Sequence, residues 1–201
     1  MSKIVLMGDS ITEYMPYIFK GTIGTSSDEI KYFGVENIGV GCYMNYAWPR
    51  VDHENVDTYI LLIGTNNISR PDCDYDGRET LEDLVDKLKE FIDKIITTSP
   101  QSRLIVQSIY PTKYPQRSDK IIYVNSKVEE YCNDKGIDYL GLHSILKDDE
   151  GLLNKEYSDD GIHPNKEGYD VVAREINKKL CIEKDKQLSL VNHVTTHKKD
   201  N

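Results

Sequence analysis

Short apolar runs of strand length alternate along this chain with polar loops and with segments whose apolar positions recur at three- and four-residue steps. Ile4-Val5-Leu6-Met7 predicts a first strand, Val35 to Val40 a second, and Tyr59-Ile60-Leu61-Leu62-Ile63 a buried third that stops at Gly64. Leu81, Leu84, Val85, Leu88, Phe91, Ile92 and Ile95 form one apolar helical face. Thr80 with Asp83 supplies its N-terminal cap, and the helix should end near Ser99-Pro100, since proline disfavours helix in the residue before it. Arg103 to Ile109 reads as a fourth strand, Tyr110 to Lys120 as a loop with two prolines, and Ile121 to Asn133 as helix. Lys135 to Leu140 is a fifth strand after a Gly136 turn, and Gly168 to Leu180 a last amphipathic helix. The alternation predicts an α/β fold of three layers, α/β/α, around a central parallel five-stranded sheet.

In such a sheet the functional loops gather at the carboxyl ends of the strands. Ser10 follows the first strand, Gly39-Val40-Gly41-Cys42 lies at the end of the second, and Gly64-Thr65-Asn66-Asn67 follows the third. Asp160 and His163 precede the last helix, so one rim can collect all of them.

Length and charge narrow the picture. The 201 residues fit one domain, read as 1–181, with a polar tail at 182–201 expected to be disordered. A net charge of -9, from 34 acidic against 25 basic residues, argues against a nucleic-acid partner, which needs clustered Lys and Arg. Lys3 to Met7 is too short for a signal-peptide core or a membrane span, so no membrane insertion is expected. Cys42, Cys73, Cys132 and Cys181 are scattered without a C-x-x-C, which suggests neither zinc nor disulfides and favours a cytoplasmic location. No metal or cofactor is expected; His193 and His197 are four apart but have no carboxylate at a ligand position.

The residue types at the rim supply an activated hydroxyl. A serine is a weak nucleophile until an imidazole takes its proton, so His163 would be general base and then general acid, with Asp160 orienting the ring. Their three-residue spacing, with Gly161 between them and Pro164 beyond, suits a tight turn that folds the carboxylate back on the ring. The developing oxyanion would meet the Ser10 N–H, a backbone N–H after the second strand and the Asn66 side-chain amide. Taken singly, each motif is an ordinary turn or helix cap, and their joint occurrence carries the catalytic reading.

Gly8-Asp9-Ser10, Asn37-Ile38-Gly39-Val40-Gly41-Cys42, Gly64-Thr65-Asn66-Asn67 and Asp160-Gly161-Ile162-His163-Pro164 occur in the order of the four blocks of GDSL-type, or SGNH, hydrolases, which the chain resembles. The resemblance implies a flavodoxin-like three-layer fold, a Ser10-His163-Asp160 triad, and an oxyanion hole from Ser10, Asn66 and Cys42 or Gly41. Cys42 stands at the position usually held by glycine, with Arg50 eight residues on supporting that register, and Asn67 stands where the family commonly has Asp. The segment from His143 to His163 resembles small carbohydrate and sialic acid O-acetylesterases. The expected substrate is therefore a small acyl ester, an O-acetylated sugar first. A lysophospholipase or thioesterase, an O-acetyltransferase using the same triad, and a catalytically silent binding module are the other readings. Tyr14, Tyr43, Tyr46, Trp48, Tyr110 and Tyr114 lie in or after the rim loops, where aromatic faces could stack on a sugar. Oligomeric state has no signal in the sequence.

Overall fold

The computed structural model describes residues 1–70 and 79–196, with side chains to residue 181. Five parallel strands, β1 (Lys3–Gly8), β2 (Glu29–Gly34), β3 (Thr58–Leu62), β4 (Arg103–Gln107) and β5 (Asp138–Leu140), form one sheet in the order β2-β1-β3-β4-β5. The central strands are apolar throughout because both faces are covered. Ile4, Leu6, Ile60, Leu62 and Ile105 point to one side, while Val5, Met7, Tyr59, Leu61, Leu104 and Val106 point to the other. On the first side pack the helices α1 (Ser10–Ile18) and α7 (Lys166–Thr196). On the second lie α4 (Leu81–Thr98) and α5 (Pro115–Lys135), with α2 (Val40–Cys42) continuing as a π and then a 3-10 turn to Arg50. Two short helices complete the fold, α3 (Thr65–Ser69) directly after β3 and α6 (His143–Leu146) after β5.

The fourth and fifth strands are shorter than the sequence reading, with Lys135 ending α5, and three further elements differ more. The second strand is Glu29–Gly34, whereas Val35 to Val40 forms the turn beyond it and the start of α2. β2 is an edge strand in which the polar Glu29 and Lys31 alternate with Ile30 and Tyr32, and edge strands tolerate such charge, so its apolar signal is weak. Helix α5 begins at Pro115, inside the expected loop, because proline fits the first helical position, where no intrahelical N–H bond is required. Helix α7 continues past Leu180 to Thr196, over most of the segment expected as a disordered tail; residues 197–201 lie outside the described residues.

The cap expected on α4 is present in reciprocal form. The Asp83 N–H donates to Thr80 Oγ1 at 3.1 Å, and the Thr80 N–H donates to Asp83 Oδ2 at 2.9 Å. Thr80→Ala removes both the cap oxygen and the geometry that Asp83 serves. It should cost about 1 kcal/mol, read as a fall of about 2–4 °C in Tm for a chain of this size. An unchanged Tm would show that the cap contributes nothing to the folded state.

Candidate active site

The position of Ser10 follows from a close approach of two strands. Gly8 ends β1 with its Cα against the Leu62 carbonyl, where a Cβ would fall 1.8 Å from the oxygen. The chain turns there, and Asp9 caps α1 by accepting the Ile11 N–H on Oδ1 at 3.1 Å. Ser10 is therefore the first residue of α1, 7% exposed at the carboxyl end of the sheet.

The loop before α7 brings the other two groups to it. Ser10 Oγ lies 2.9 Å from His163 Nε2, and His163 Nδ1 lies 2.6 Å from Asp160 Oδ2. A carboxylate only accepts, so Nδ1 carries the ring hydrogen and donates it to Asp160, which leaves Nε2 to accept the Ser10 hydroxyl. Partial burial pushes the Asp160 carboxyl up, but the hydrogen bonds from the His163 ring and from the His163 and Ile162 N–H groups outweigh it and hold it at about 2. Asp160 is thus ionised across the whole neutral range.

The turn that presents this pair is built from three supports. Asp160 Oδ1 accepts the N–H groups of Ile162 and His163, each at 2.8 Å. Buried Ser158 accepts the Gly161 N–H at 2.9 Å and donates to the His163 carbonyl at 2.7 Å, closing the loop on itself. Gly161 has φ +79° and the Lys113 side chain lies across it, so a side chain here would be strained in backbone and crowded in space. Ser158 escaped the sequence reading, although a serine two residues ahead of the Asp160 turn is a usable signal for such a loop. Tyr14, one turn along α1 from Ser10, packs on the His163 ring with centroids 5.1 Å apart.

The glycine block and the β3 loop are tied together beside this relay. Asn66 Nδ2 donates to the Ile38 carbonyl at 3.0 Å, which uses one of its two amide hydrogens. Asn67 Oδ1 accepts the Val40 N–H at 3.0 Å, and Asn67 Nδ2 donates to Glu79 Oε2 at 2.7 Å. The Gly41 and Cys42 N–H groups belong to the same first turn of α2 as Val40. Cys42 has φ -64° and ψ -40°, ordinary right-handed helix, so the backbone places no demand for glycine at this position.

Beside Ser10 sits a carboxyl that lies outside the Ser10-His163-Asp160 line. Asp9 is 0% exposed, and burial pushes it up to about 6 against the hydrogen bond from Ile11 and the nearby His163. Asp9 Oδ2 and the Thr65 hydroxyl approach each other, neither with a well-aligned hydrogen bond.

Several residues read as rim candidates belong to the core instead. Tyr43 is 0% exposed with its hydroxyl donated to the Phe33 carbonyl, and Trp48 packs edge-on against Tyr59 and Phe91. Tyr110 is buried and donates to Gln107 Oε1 at 2.7 Å. Their loops do leave the carboxyl edge of the sheet, but the rings turn inward and fill volume that close packing requires to be filled. Tyr46 is exposed, and Tyr114 carries Arg117 stacked on its face at 4.2 Å. Among the described residues no group of three or more His, Cys, Asp and Glu could hold a metal ion, and no helix is long and apolar enough to cross a membrane. Cys42, Cys132 and Cys181 form no disulfide among the described residues; Cys73 lies outside them.

Residues 6–171 match the model of the GDSL-like Lipase/Acylhydrolase family. The chain belongs to this family. As a GDSL-like hydrolase it has the fold of a GDSL-like lipase from Bacteroides thetaiotaomicron VPI-5482, with TM-score 0.69 and 22% identity over 92% of this chain and 89% of that one. The lipase/acylhydrolase from Enterococcus faecalis superposes with TM-score 0.66 and 17% identity, covering 90% of this chain and 95% of the other. By sequence the GDSL-like hydrolase is 28% identical over 179 residues, 88% of its length, to the N-acylneuraminate cytidylyltransferase of Escherichia coli O18:K1:H7 (strain RS218 / NMEC). It spans 40% of that enzyme.

Proposed function

We propose that the protein is a serine esterase that removes small acyl groups, acetyl first, from O-acetylated carbohydrate. The hydrogen-bonded line Ser10 Oγ, His163 Nε2, His163 Nδ1, Asp160 Oδ2, with separations of 2.9 and 2.6 Å, carries the reading. His163 takes the Ser10 proton as Oγ attacks the ester carbonyl, and Asp160 stabilises the imidazolium that forms. The oxyanion is received by the Ser10 N–H, the N–H of Cys42 or Gly41, and the Asn66 amide. His163 then protonates the departing alcohol. In the second half it activates a water that releases the acid and restores Ser10.

The sugar preference is supported by the likeness to an enzyme whose name places an N-acylneuraminate, an acidic sugar, among its substrates. The test is hydrolysis of p-nitrophenyl acetate and butyrate and of O-acetylated sialic acid, with Ser10→Ala as blank and a fluorophosphonate label on Ser10. The expected result is labelled Ser10, Ser10-dependent acetate release from the sugar, and a preference for acetyl over butyryl of more than about 10-fold, the scale of one or two methylenes in a fitted pocket. A preference for butyryl or longer chains would replace the carbohydrate reading by a lysophospholipase or thioesterase. Faster acetyl transfer to a sugar acceptor than to water would make the enzyme an acetyltransferase. No label on folded protein would leave a silent binding module.

A further inference from the structure

Asn67 is 3% exposed and its side chain joins three separate parts of the chain. Its oxygen takes the Val40 N–H from the first turn of α2 at 3.0 Å, and its nitrogen gives a hydrogen to Glu79 Oε2 at 2.7 Å just ahead of α4. Glu79 is held in turn by Lys87, with Nζ 2.9 Å from Oε1, and the Glu79 side chain is 3% exposed. Asn66, the preceding residue, binds the Ile38 carbonyl, so two successive amides fasten the β3 loop to residues 38–40.

Val40 and Glu79 make opposite demands on the Asn67 side chain. Val40 brings a donor and needs an oxygen; Glu79 brings an acceptor and needs a hydrogen. A neutral amide meets both. An ionised carboxylate at position 67, the residue type common in the family, would keep the Val40 bond but set a negative charge against Glu79 at hydrogen-bond distance. A protonated carboxyl would again satisfy both, with its carbonyl to Val40 and its O–H to Glu79.

We infer that Asn67 is a positioning residue that fixes the first turn of α2, and with it the Cys42 and Gly41 N–H groups, through the Val40 bond while Glu79 and Lys87 hold the amide from behind. The inference rests on the esterase reading for its catalytic consequence, but the Val40 bond can be tested without it. A donor displaced by about 1 Å costs on the order of 100-fold in turnover.

The experiment compares Asn67→Ala, Asn67→Asp and the double variant Asn67→Asp with Glu79→Gln. Asn67→Ala should lose about 100-fold in kcat, with KM for p-nitrophenyl acetate little changed. Asn67→Asp should approach wild-type kcat at acidic pH and lose it as pH rises and the carboxyl pair that the new side chain forms with Glu79 gives up its shared proton. Adding Glu79→Gln restores a donor opposite position 67 and should abolish that basic limb. A kcat profile for Asn67→Asp parallel to wild type at every pH, or a basic limb that survives Glu79→Gln, would overturn the inference. Hydrogen exchange at the Val40 amide provides the readout independent of activity. Exchange should rise more than about 10-fold in Asn67→Ala, and unchanged protection would refute the clasp even in a protein that hydrolyses no ester. Absence of wild-type hydrolysis with faster Val40 exchange in Asn67→Ala would instead sink the esterase reading and leave the clasp standing.

Discussion

His163→Ala is expected to abolish ester hydrolysis, with a loss in kcat on the order of a millionfold, the scale seen when a triad base is removed. Its imidazole stands 2.9 Å from Ser10 Oγ through a ring nitrogen that the Asp160 bond leaves able to accept. Ser10→Ala should give the same residual rate, and the double variant should be no worse than either, because the two act as one unit. Asp160→Asn should cost less, about 1,000- to 10,000-fold, since the Asp160 side chain is 55% exposed and water can partly replace it beside the imidazolium. Asp160 is held at about 2, so this loss should not recover anywhere in the neutral range. A carboxyl lowered by folding also stabilises the fold above its unfolded pKa and loses that contribution as pH falls toward about 2. Exposure makes the stability term small, so kinetics at constant Tm are the measurement. More than about one per cent of wild-type kcat in folded His163→Ala would remove the imidazole from the mechanism.

The sequence exposed the parts of this site unevenly, and the reasons are physical. Ser10, Asp160 and His163 were legible because a nucleophile turn and a carboxylate-imidazole pair need specific residue types at fixed spacing, and the structure does bring the three side chains into one hydrogen-bonded line. The central strands were legible because burial on both faces leaves only apolar residues in Tyr59 to Leu62. β2 was misplaced because an edge strand keeps Glu29 and Lys31 facing solvent, which dilutes its pattern below that of Val35 to Val40. Tyr43, Trp48 and Tyr110 were misassigned because a loop's position along the chain says nothing about which way a ring turns. The Asn67-Glu79 contact was invisible for a related reason, because it joins two loops that only the fold brings together, whereas Ser158 bonds within its own turn and left a local signal that was passed over. Cys42 stands where the family usually has glycine, and its φ of -64° needs none.

Asp9→Asn should stabilise the fold at neutral pH by up to about 3 kcal/mol, the equivalent of about two pKa units. Asp9 is fully buried and pushed up to about 6 from its ordinary 3.8, so folding favours its protonated form. A carboxyl raised by folding contributes its full stability below 3.8, loses it as pH climbs, and by pH above 6 sits buried as an anion. Asparagine keeps an oxygen for the Ile11 N–H, now accepted by Asp9 Oδ1 at 3.1 Å, and puts an amide hydrogen where Oδ2 approaches Thr65. The variant should therefore match wild type near pH 4 and exceed it increasingly up to about pH 6.5, by up to about 6–12 °C in Tm at the plateau. Thermal melts at about pH 4, 5.5 and 7.5 read this directly, and equal Tm values at the highest pH would mean that burial does not raise Asp9 at all. A gain in stability joined to a loss of kcat would say more. It would show that the family's Gly-Asp-Ser turn keeps a destabilising buried carboxylate beside His163 because the charge serves the imidazolium formed in each half-reaction.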